Sequence, residues 1–520
     1  MSVSRRRFLG LAGGAGVVAA SASLGFVRLG PAPQTGTLLR SRVPLPAPFG
    51  VPLPIPPVAR PRRAGGTDVY ELTARPADVE ILPGHRTRVW GYDGVFPGPT
   101  IVARSGHPAR VRVVNALPVA TNVHLHGGRT PAASDGYPTD LILPASGGHA
   151  GHTAMAGEVT MGAREYVYPL EQRAATLWYH DHTMDFTGPN VYRGLAGFLL
   201  VGDDADDRLP LPRGERDLPL MLTDRAFDAD GSLRYPALDP SGRMPGVTEP
   251  FMAGVLGDVI LVNGAPWPFH EVDRARYRLR VLNASNARRY ELALDPPGAF
   301  TQIGTDGGLL AAPVGRDTVT LAPAERADLV VDFAAWPAGT RVRVLNRLGS
   351  GTTAPVLAFD VARDARDDTA VPARLAEVER LDRAAAVRTR TFRFQLRRER
   401  GPGPGDDDSG AGHLRWMVNG RTFDPGHDEA TPRLGDVEVW RFMTDLHHPV
   451  HLHLAHFQVL ARNGRAPRPG DQGWKDTIDL IPGQTAEVIA RFDGYRGRYV
   501  LHCHNLEHED MAMMANFRVT

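Results

Sequence analysis

The sequence predicts an all-β protein made of three similar β-sandwich domains, and three observations carry that expectation. Glycine and proline are both abundant, 56 and 45 residues in a chain of 520, which favours a turn-rich architecture over a helical one. Short segments alternate polar with apolar residues as half-buried strands do: residues 109–114, 276–281 and 437–442. Those segments also recur inside a longer pattern, which makes the chain an internal repeat.

The first copy reads Tyr92-Asp93-Gly94-Val95-Phe96-Pro97, then its strand, then Asn115, then His124-Leu125-His126. The second reads Val262-Asn263-Gly264-Ala265-Pro266-Trp267-Pro268, its strand, Asn283, then Tyr290-Glu291-Leu292. The third reads Val418-Asn419-Gly420-Arg421-Thr422-Phe423, its strand, then His451-Leu452-His453. A spacing of about 160 residues implies three domains, consistent with a chain too long for one hydrophobic core. We place them at 66–203, 204–362 and 386–520, with the charged stretch 363–385 as a linker and the Pro-rich stretch 31–65 as an extended surface segment. The His-x-His element is missing from the second copy. The first and third domains are therefore expected to carry ligands, with the middle one as a spacer.

Charge excludes one class of partner. Fifty-nine Lys+Arg against 58 Asp+Glu give a net charge of +1, so there is no electrostatic case for nucleic acid. The N-terminus reads as an address: Arg5-Arg6-Arg7-Phe8-Leu9 and the uncharged run from Leu11 to Phe26 have the layout of a twin-arginine export signal over residues 1–30. The run is short and rich in Gly and Ala, which favours cleavage over a membrane anchor. The expected location is periplasmic, extracellular or at the cell envelope, reached through the twin-arginine export machinery, without stable membrane association.

The chain has one cysteine, so no internal disulfide can form. It lies between two histidines in His502-Cys503-His504, with His508 close behind. Ten of the 19 histidines fall in four clusters: His124/His126, His180/His182, His448/His451/His453 and His502/His504/His508. On a strand, residues i and i+2 face the same way about 7 Å apart, so each His-x-His pair aims two imidazoles at one place. In His502-Cys503-His504 the same alternation turns the thiol to the opposite face, and one strand serves two metal sites. Two imidazoles, one thiolate and a distant thioether suit blue copper, and Met513 offers the thioether; structural zinc sites usually use two or more cysteines.

These motifs resemble the multicopper oxidases from about residue 40 to the C-terminus, most nearly the bacterial spore-coat laccases and their bilirubin-oxidising relatives. The likeness rests on residues 90–101, His124 through Pro138, Leu177-Trp178-Tyr179-His180-Asp181-His182, residues 473–478 and residues 502–510. It implies three cupredoxin-like Greek-key domains and four copper ions: one type 1, one type 2 and two type 3. By resemblance, the type 1 ligands are His448, Cys503 and His508, with Met513 axial. Type 2 takes His124 and His451. The type 3 pair takes His126, His180, His182, His453, His502 and His504. Phenols and aromatic amines are the implied reductants, giving electrons singly at type 1, with dioxygen reduced to water at the other three coppers. Asp135 and Glu509 match positions that relay protons, and His508 is expected to present an exposed edge for electron entry. The resemblance also implies a monomer.

Several residues stay outside this scheme. His447, His456, His149 and His152 read as solvent-facing or hydrogen-bonded rather than metal-bound, Met511 and Met514 as packing, and Lys475-Asp476 as a turn or an orienting element of the type 1 region. Competing functions are a cuprous oxidase, a dedicated bilirubin-type oxidase and a non-enzymatic cupredoxin scaffold. The stretch between His453 and His502 contains no methionine, unlike a Met-rich Cu(I) site, and a scaffold is expected to have lost ligands that this chain keeps.

Overall fold

In the computed structural model, residues 34–145, 157–242, 244–399 and 413–520 are described. The twin-arginine segment, His149 and His152 lie outside them. Among the described residues strands dominate, with three short α-helices at Thr187–Arg193, Asp204–Asp207 and Leu506–Asp510. No helix among the described residues is long and apolar enough to cross a membrane.

Six mixed sheets form three sequence-contiguous pairs. In the first pair, Thr67–Val79 runs parallel to Ala109–Asn115, and the second sheet places Gly98–Arg104 parallel to Ala196–Gly202. The second pair repeats this with Asp217–Phe227 beside Arg276–Asn283, and Phe269–Arg274 beside Pro355–Asp364. The third does so with Arg388–Glu399 beside Val437–Thr444, and Asp428–Ala430 beside Met514–Val519. Parallel neighbours need crossovers rather than hairpins. The same two crossovers in each copy give three cupredoxin-like sandwiches, each closed around its own apolar cluster. Each fully buried Leu, Val or Phe there contributes about 1.5–3 kcal/mol relative to leaving it in water.

The repeated Asx-Gly dipeptides have one structural meaning. Asp93, Asn263 and Asn419 have φ of 57°, 50° and 53°, and Gly94, Gly264 and Gly420 follow at 73°, 84° and 80°. Two successive positive φ values make the tight turn that Asx-Gly prefers. In each copy the Asx also grips the preceding strand at one residue. Asp93 donates its N–H to the Thr73 carbonyl and accepts the Thr73 N–H on Oδ1; Asn263 does the same with Met221 and Asn419 with Arg393. Asn115 and Asn283 act alike at strand ends, each accepting the N–H two residues on and donating to two carbonyls, one four or five residues on and one far along the chain.

Two expectations need adjusting. Strand 109–115 alternates as read, but Arg278 and Arg280 on the second are buried. Their guanidiniums pair with Asp206, Asp328 and Asp217, and Arg280 reaches Thr176 of the first sandwich, so this polar face lies inside an interface. On the third strand Glu438 is buried too, held by Arg390 Nε and Nη2 at 2.6 and 2.9 Å and by the Trp440 indole. The Pro-rich stretch is extended, yet it is more than a surface strap. Thr37–Leu39 adds to Val255–Gly257, Pro52 and Val58 bridge Phe269 and Thr100, and Val43 and Leu53 enter the middle core.

The Asx-Gly turns separate backbone strain from crowding. A Cβ on Gly264 would meet the Phe96 carbonyl oxygen at 2.6 Å, whereas one on Gly420 meets nothing within 4 Å. Gly420→Ala should cost about 1 kcal/mol of left-handed strain. Gly264→Ala should cost clearly more, because backbone must move. Melting temperatures of the two variants check this; equal losses would contradict it.

Candidate metal centre

Strand register builds the centre. His124–His126 pairs antiparallel with Ala175–His180, placing His124 opposite His180. His448–Leu452 pairs with Gly497–Cys503, placing His451 opposite His502 and Val450 opposite Cys503. In the middle sandwich the matching strand carries Tyr290 and Leu292, both buried in its core, where the other copies carry histidine.

The structure brings together all ten sequence-selected histidines and the cysteine, in two groups. The smaller holds His448, Cys503 and His508. His448 Nδ1 lies 3.4 Å from Cys503 Sγ, His508 Nδ1 lies 3.5 Å from the same sulfur, and the two nitrogens are 3.2 Å apart. The point equidistant from these donors is about 2 Å from each, the length of metal–imidazole and metal–thiolate bonds. Met513 is fully buried in the same apolar cluster, and its carbonyl accepts the Cys503 N–H.

The larger group holds the other eight histidines in overlapping trios: His124/His126/His451, His126/His180/His504 and His182/His453/His502. His182 and His453 approach His502 through Nε2 at 3.4 and 3.2 Å, and His124 and His451 face each other through Nε2 at 3.4 Å. The outward nitrogens are tied down: His124 Nδ1 to the Asp135 carbonyl, His180 Nδ1 to the Asp181 carbonyl, His451 Nδ1 to the Asp476 carbonyl, His453 Nδ1 to Asp135 Oδ2 and His502 Nδ1 to the Cys503 carbonyl. Such partners fix a tautomer and aim the other nitrogen inward. His126 is reversed: Nε2 meets Asp476 Oδ1 at 3.0 Å and Thr477 Oγ1 at 3.1 Å, leaving Nδ1 to face the group.

This donor set fits metal better than a hydrogen-bonded core. His126 Nδ1, His180 Nε2 and both His504 nitrogens are buried without a hydrogen-bond partner. Burial holds His180 down at about 3 and His182 at about 4, and keeps His124, His126, His451, His453 and His504 well below the ordinary histidine value. Neutral imidazoles with free lone pairs are what a soft or borderline cation needs. Burial pushes the Cys503 thiol well up, so a bound cation must supply the stabilisation of the thiolate.

Asp135 and Glu509, the two acids singled out from sequence, both line the histidine group. Burial pushes Asp135 well above the carboxylate range. Burial pushes Glu509 the same way, but His502 and His182 outweigh it and hold it at about 2. Glu509 Oε2 is 3.1 Å from His502 Nδ1, and Oε1 is 3.5 Å from His182 Nδ1.

Other expectations change. His508 is fully buried: Trp416 stacks on its ring with centroids 3.6 Å apart, so it presents no exposed edge. Asp476 belongs to the histidine group, on His126 and His451, rather than to the cysteine site, and Lys475 pairs behind it with Asp306 and Glu325. His456 Nε2 donates to the Gly127 carbonyl at 2.9 Å, and His447 sits between Thr35 and Arg289; neither joins a donor group. Met511 and Met514 pack in apolar clusters. Sequence reasoning missed Trp416, a lone aromatic 92 residues before His508, and Arg326, whose only signal is a long-range ion pair.

Multicopper oxidase family models match residues 73–206 and 398–520, the segments that carry every one of these histidines. Laccase from Bacillus subtilis is 36% identical over 90% of this chain and 98% of its own length. The chain belongs to the multicopper oxidase family. Bilirubin oxidase from Albifimbria verrucaria is 34% identical over 91% of this chain and 81% of its own. The solved laccase of Pediococcus acidilactici superposes with a TM-score of 0.78 at 30% identity, covering 93% of this chain and 96% of that one. This multicopper oxidase is a copper-binding oxidoreductase of the laccase branch that uses dioxygen and a reducing substrate.

Copper should then be part of the fold's stability. A ligand at 1,000 times its dissociation constant stabilises by about 4 kcal/mol. Calorimetry should show the copper-free multicopper oxidase melting several degrees below the loaded form, and identical melting would argue against these donors holding metal.

Proposed function

We propose that this enzyme oxidises phenols and aromatic amines one electron at a time and reduces dioxygen to water with four coppers. His448, Cys503 and His508 would hold the type 1 copper, with Met513 the candidate for a further, weak ligand. His124 and His451 hold type 2. His126, His180 and His504 hold one type 3 ion and His182, His453 and His502 the other. When bound, the coppers supply reversible one-electron chemistry at the thiolate and multi-electron reduction of dioxygen at the histidine group. The observation that carries the reading is the strand 497–503, whose alternation sends Cys503 to one donor set and His502 to the other, with the Cys503 carbonyl bonded to His502 Nδ1 at 3.2 Å.

Asp135 and Glu509 handle protons at the histidine group. Their environments push them apart, one towards the protonated form and the other towards the ionised one, which is how paired carboxyls divide acid and base roles. Enclosure of His508 under Trp416 favours electron transfer from a donor that stays outside the metal's coordination shell, and so a range of small aromatic donors. The consecutive arginines at residues 5–7 and the uncharged run from Leu11 to Phe26 support export by the twin-arginine route to the periplasm or beyond. No methionine occurs between His453 and His502, which ranks Cu(I) oxidation second. A rate panel of phenols, bilirubin and Cu(I) on one preparation decides among donors.

Copper-loaded protein should bind four ions per chain, show the intense visible band of a copper thiolate, and consume one dioxygen for each four one-electron donors oxidised. Cys503→Ser should remove the band and phenol oxidation while leaving the fold intact. An undiminished oxidation rate in that variant would rule out the proposed electron route. For the proton handlers, Asp135→Asn and Glu509→Gln should each slow turnover about 100-fold or more with the visible band retained. Unchanged turnover would remove them from the reaction.

A further inference from the structure

The middle sandwich has no ligand histidine, yet it reaches into the histidine group through one side chain. Arg326 begins the strand Arg326–Asp332, is fully buried, and spends all five guanidinium N–H donors. Nη1 and Nη2 grip the two oxygens of Asp476 at 2.7 and 2.5 Å. The remaining donors go to the carbonyls of Thr176, Ala324 and Asp306. Thr176 lies on the strand that ends at His180, and Asp476 lies on the third sandwich. One guanidinium from the middle copy therefore ties together both copies that carry the histidines.

Asp476 passes that order on. Its carbonyl accepts from His451 Nδ1 at 2.9 Å, and its Oδ1 faces His126 Nε2 at 3.0 Å. Thr477 Oγ1 gives its own proton to Asp476 Oδ1 at 2.9 Å, so it too faces His126 as an acceptor. With acceptors on both contacts, His126 Nε2 carries the proton and Nδ1 keeps the free pair. Of the rings described above, His126 alone has this reversed arrangement; the five with a tethered outward nitrogen use Nδ1 for the tether. Packing enforces the approach. Gly127 has φ of 81°, and a Cβ there would lie 2.6 Å from Arg326 Nη2 and 2.8 Å from Asp476 Oδ2. The residue after His126 must lack a side chain for the pair to sit where it does.

Behind this pair lies a second buried layer. Lys475 Nζ bridges Asp306 Oδ2 at 2.9 Å and Glu325 Oε1 at 3.1 Å, and Asp306 Oδ1 accepts the Arg326 N–H at 2.8 Å. Both acids come from the middle sandwich.

We propose that Arg326 is a positioning residue for the histidine group: acting through Asp476, it fixes the His126 tautomer that leaves Nδ1 as the ligand nitrogen. The middle sandwich thereby takes part in metal binding without contributing a ligand. This inference rests on the reading that the buried histidines hold copper.

Arg326→Met and Asp476→Asn test it. Each is made copper-free, checked for folding by circular dichroism, loaded with Cu(II) and titrated with a chelator. Bound copper is counted, the visible band follows the Cys503 site, and the EPR signal of the non-blue copper follows the histidine group. Outer-layer partners of metal-bound histidines typically contribute 10–100-fold in affinity. Both variants should keep the visible band at wild-type intensity per folded chain, with an altered non-blue EPR signal. Histidine-bound copper should be stripped at about 10–100-fold lower chelator concentration. If Arg326→Met does not fold, Arg326→Lys keeps the buried positive charge, loses the two-point grip, and should show the same selective loss. Wild-type chelator resistance and EPR in the variants would overturn the inference while leaving the copper reading intact. Equal loss from both sites would also overturn it, marking Arg326 as a general stabiliser. A wild-type chain that binds no copper at all would instead overturn the underlying reading.

Discussion

The pairing of His448–Leu452 with Gly497–Cys503 is the constraint on which the rest of the centre depends. It sets His451 against His502 and Val450 against Cys503, so alternation of one strand sorts its side chains between two destinations. A slip of one residue would exchange the faces, burying imidazoles in the apolar core and turning the thiol into the histidine group. The apolar neighbours prevent that slip. Val450, Leu452, Leu501, Tyr499 and Met513 are buried in a single cluster with Cys503, and moving them out of it would cost more than any one ligand contact supplies.

That strand pair completes only one half of the centre. The other half comes from His124–His126 and Ala175–His180, more than 250 residues earlier in the chain, and the halves are joined by side chains instead of backbone pairing. Asp135 of the first sandwich meets His453 of the third at 2.7 Å, and Asp476 of the third meets His126 of the first at 3.0 Å. These crossed contacts are reciprocal: each half supplies the carboxylate that orients an imidazole of the other. Neither half is correctly aimed alone, so assembly of the metal group and docking of the two sandwiches are one event.

Much of this was readable from the chain because the signals are local. The His-x-His pairs, the cysteine between histidines and the Asx-Gly turns each occupy a few residues, and strand alternation converts such spacing directly into geometry. The triple repeat was readable because each copy spends an Asp or Asn before glycine on the same backbone grip. What escaped were contacts with no local spacing. Arg326 and Asp476 are 150 residues apart, and nothing in either neighbourhood distinguishes a buried ion pair from a solvated one. Arg278, Arg280 and Glu438 looked like the wet faces of half-buried strands for the same reason. The resemblance implied an exposed His508 edge, and no short-range pattern announces that Trp416 will stack on it. Alternation states that two faces differ, and only the partner of each face states whether it is dry.

The buried charges between the sandwiches deserve a physical account, since ion pairs removed from water seldom stabilise a fold more than apolar packing of equal volume. Lys475, Asp306, Glu325, Arg326 and Asp476 form one such set, all of them buried. Their value lies in direction. An apolar interface tolerates sliding by an ångström or more, because dispersion contacts are many and unspecific, whereas a two-point guanidinium–carboxylate grip loses both bonds on a small rotation. A group of eight imidazoles drawn from two sandwiches needs that intolerance, because metal–nitrogen bonds fail on displacements that a hydrophobic surface would absorb. The middle sandwich keeps Arg326 at the one place where it can hold the other two in register.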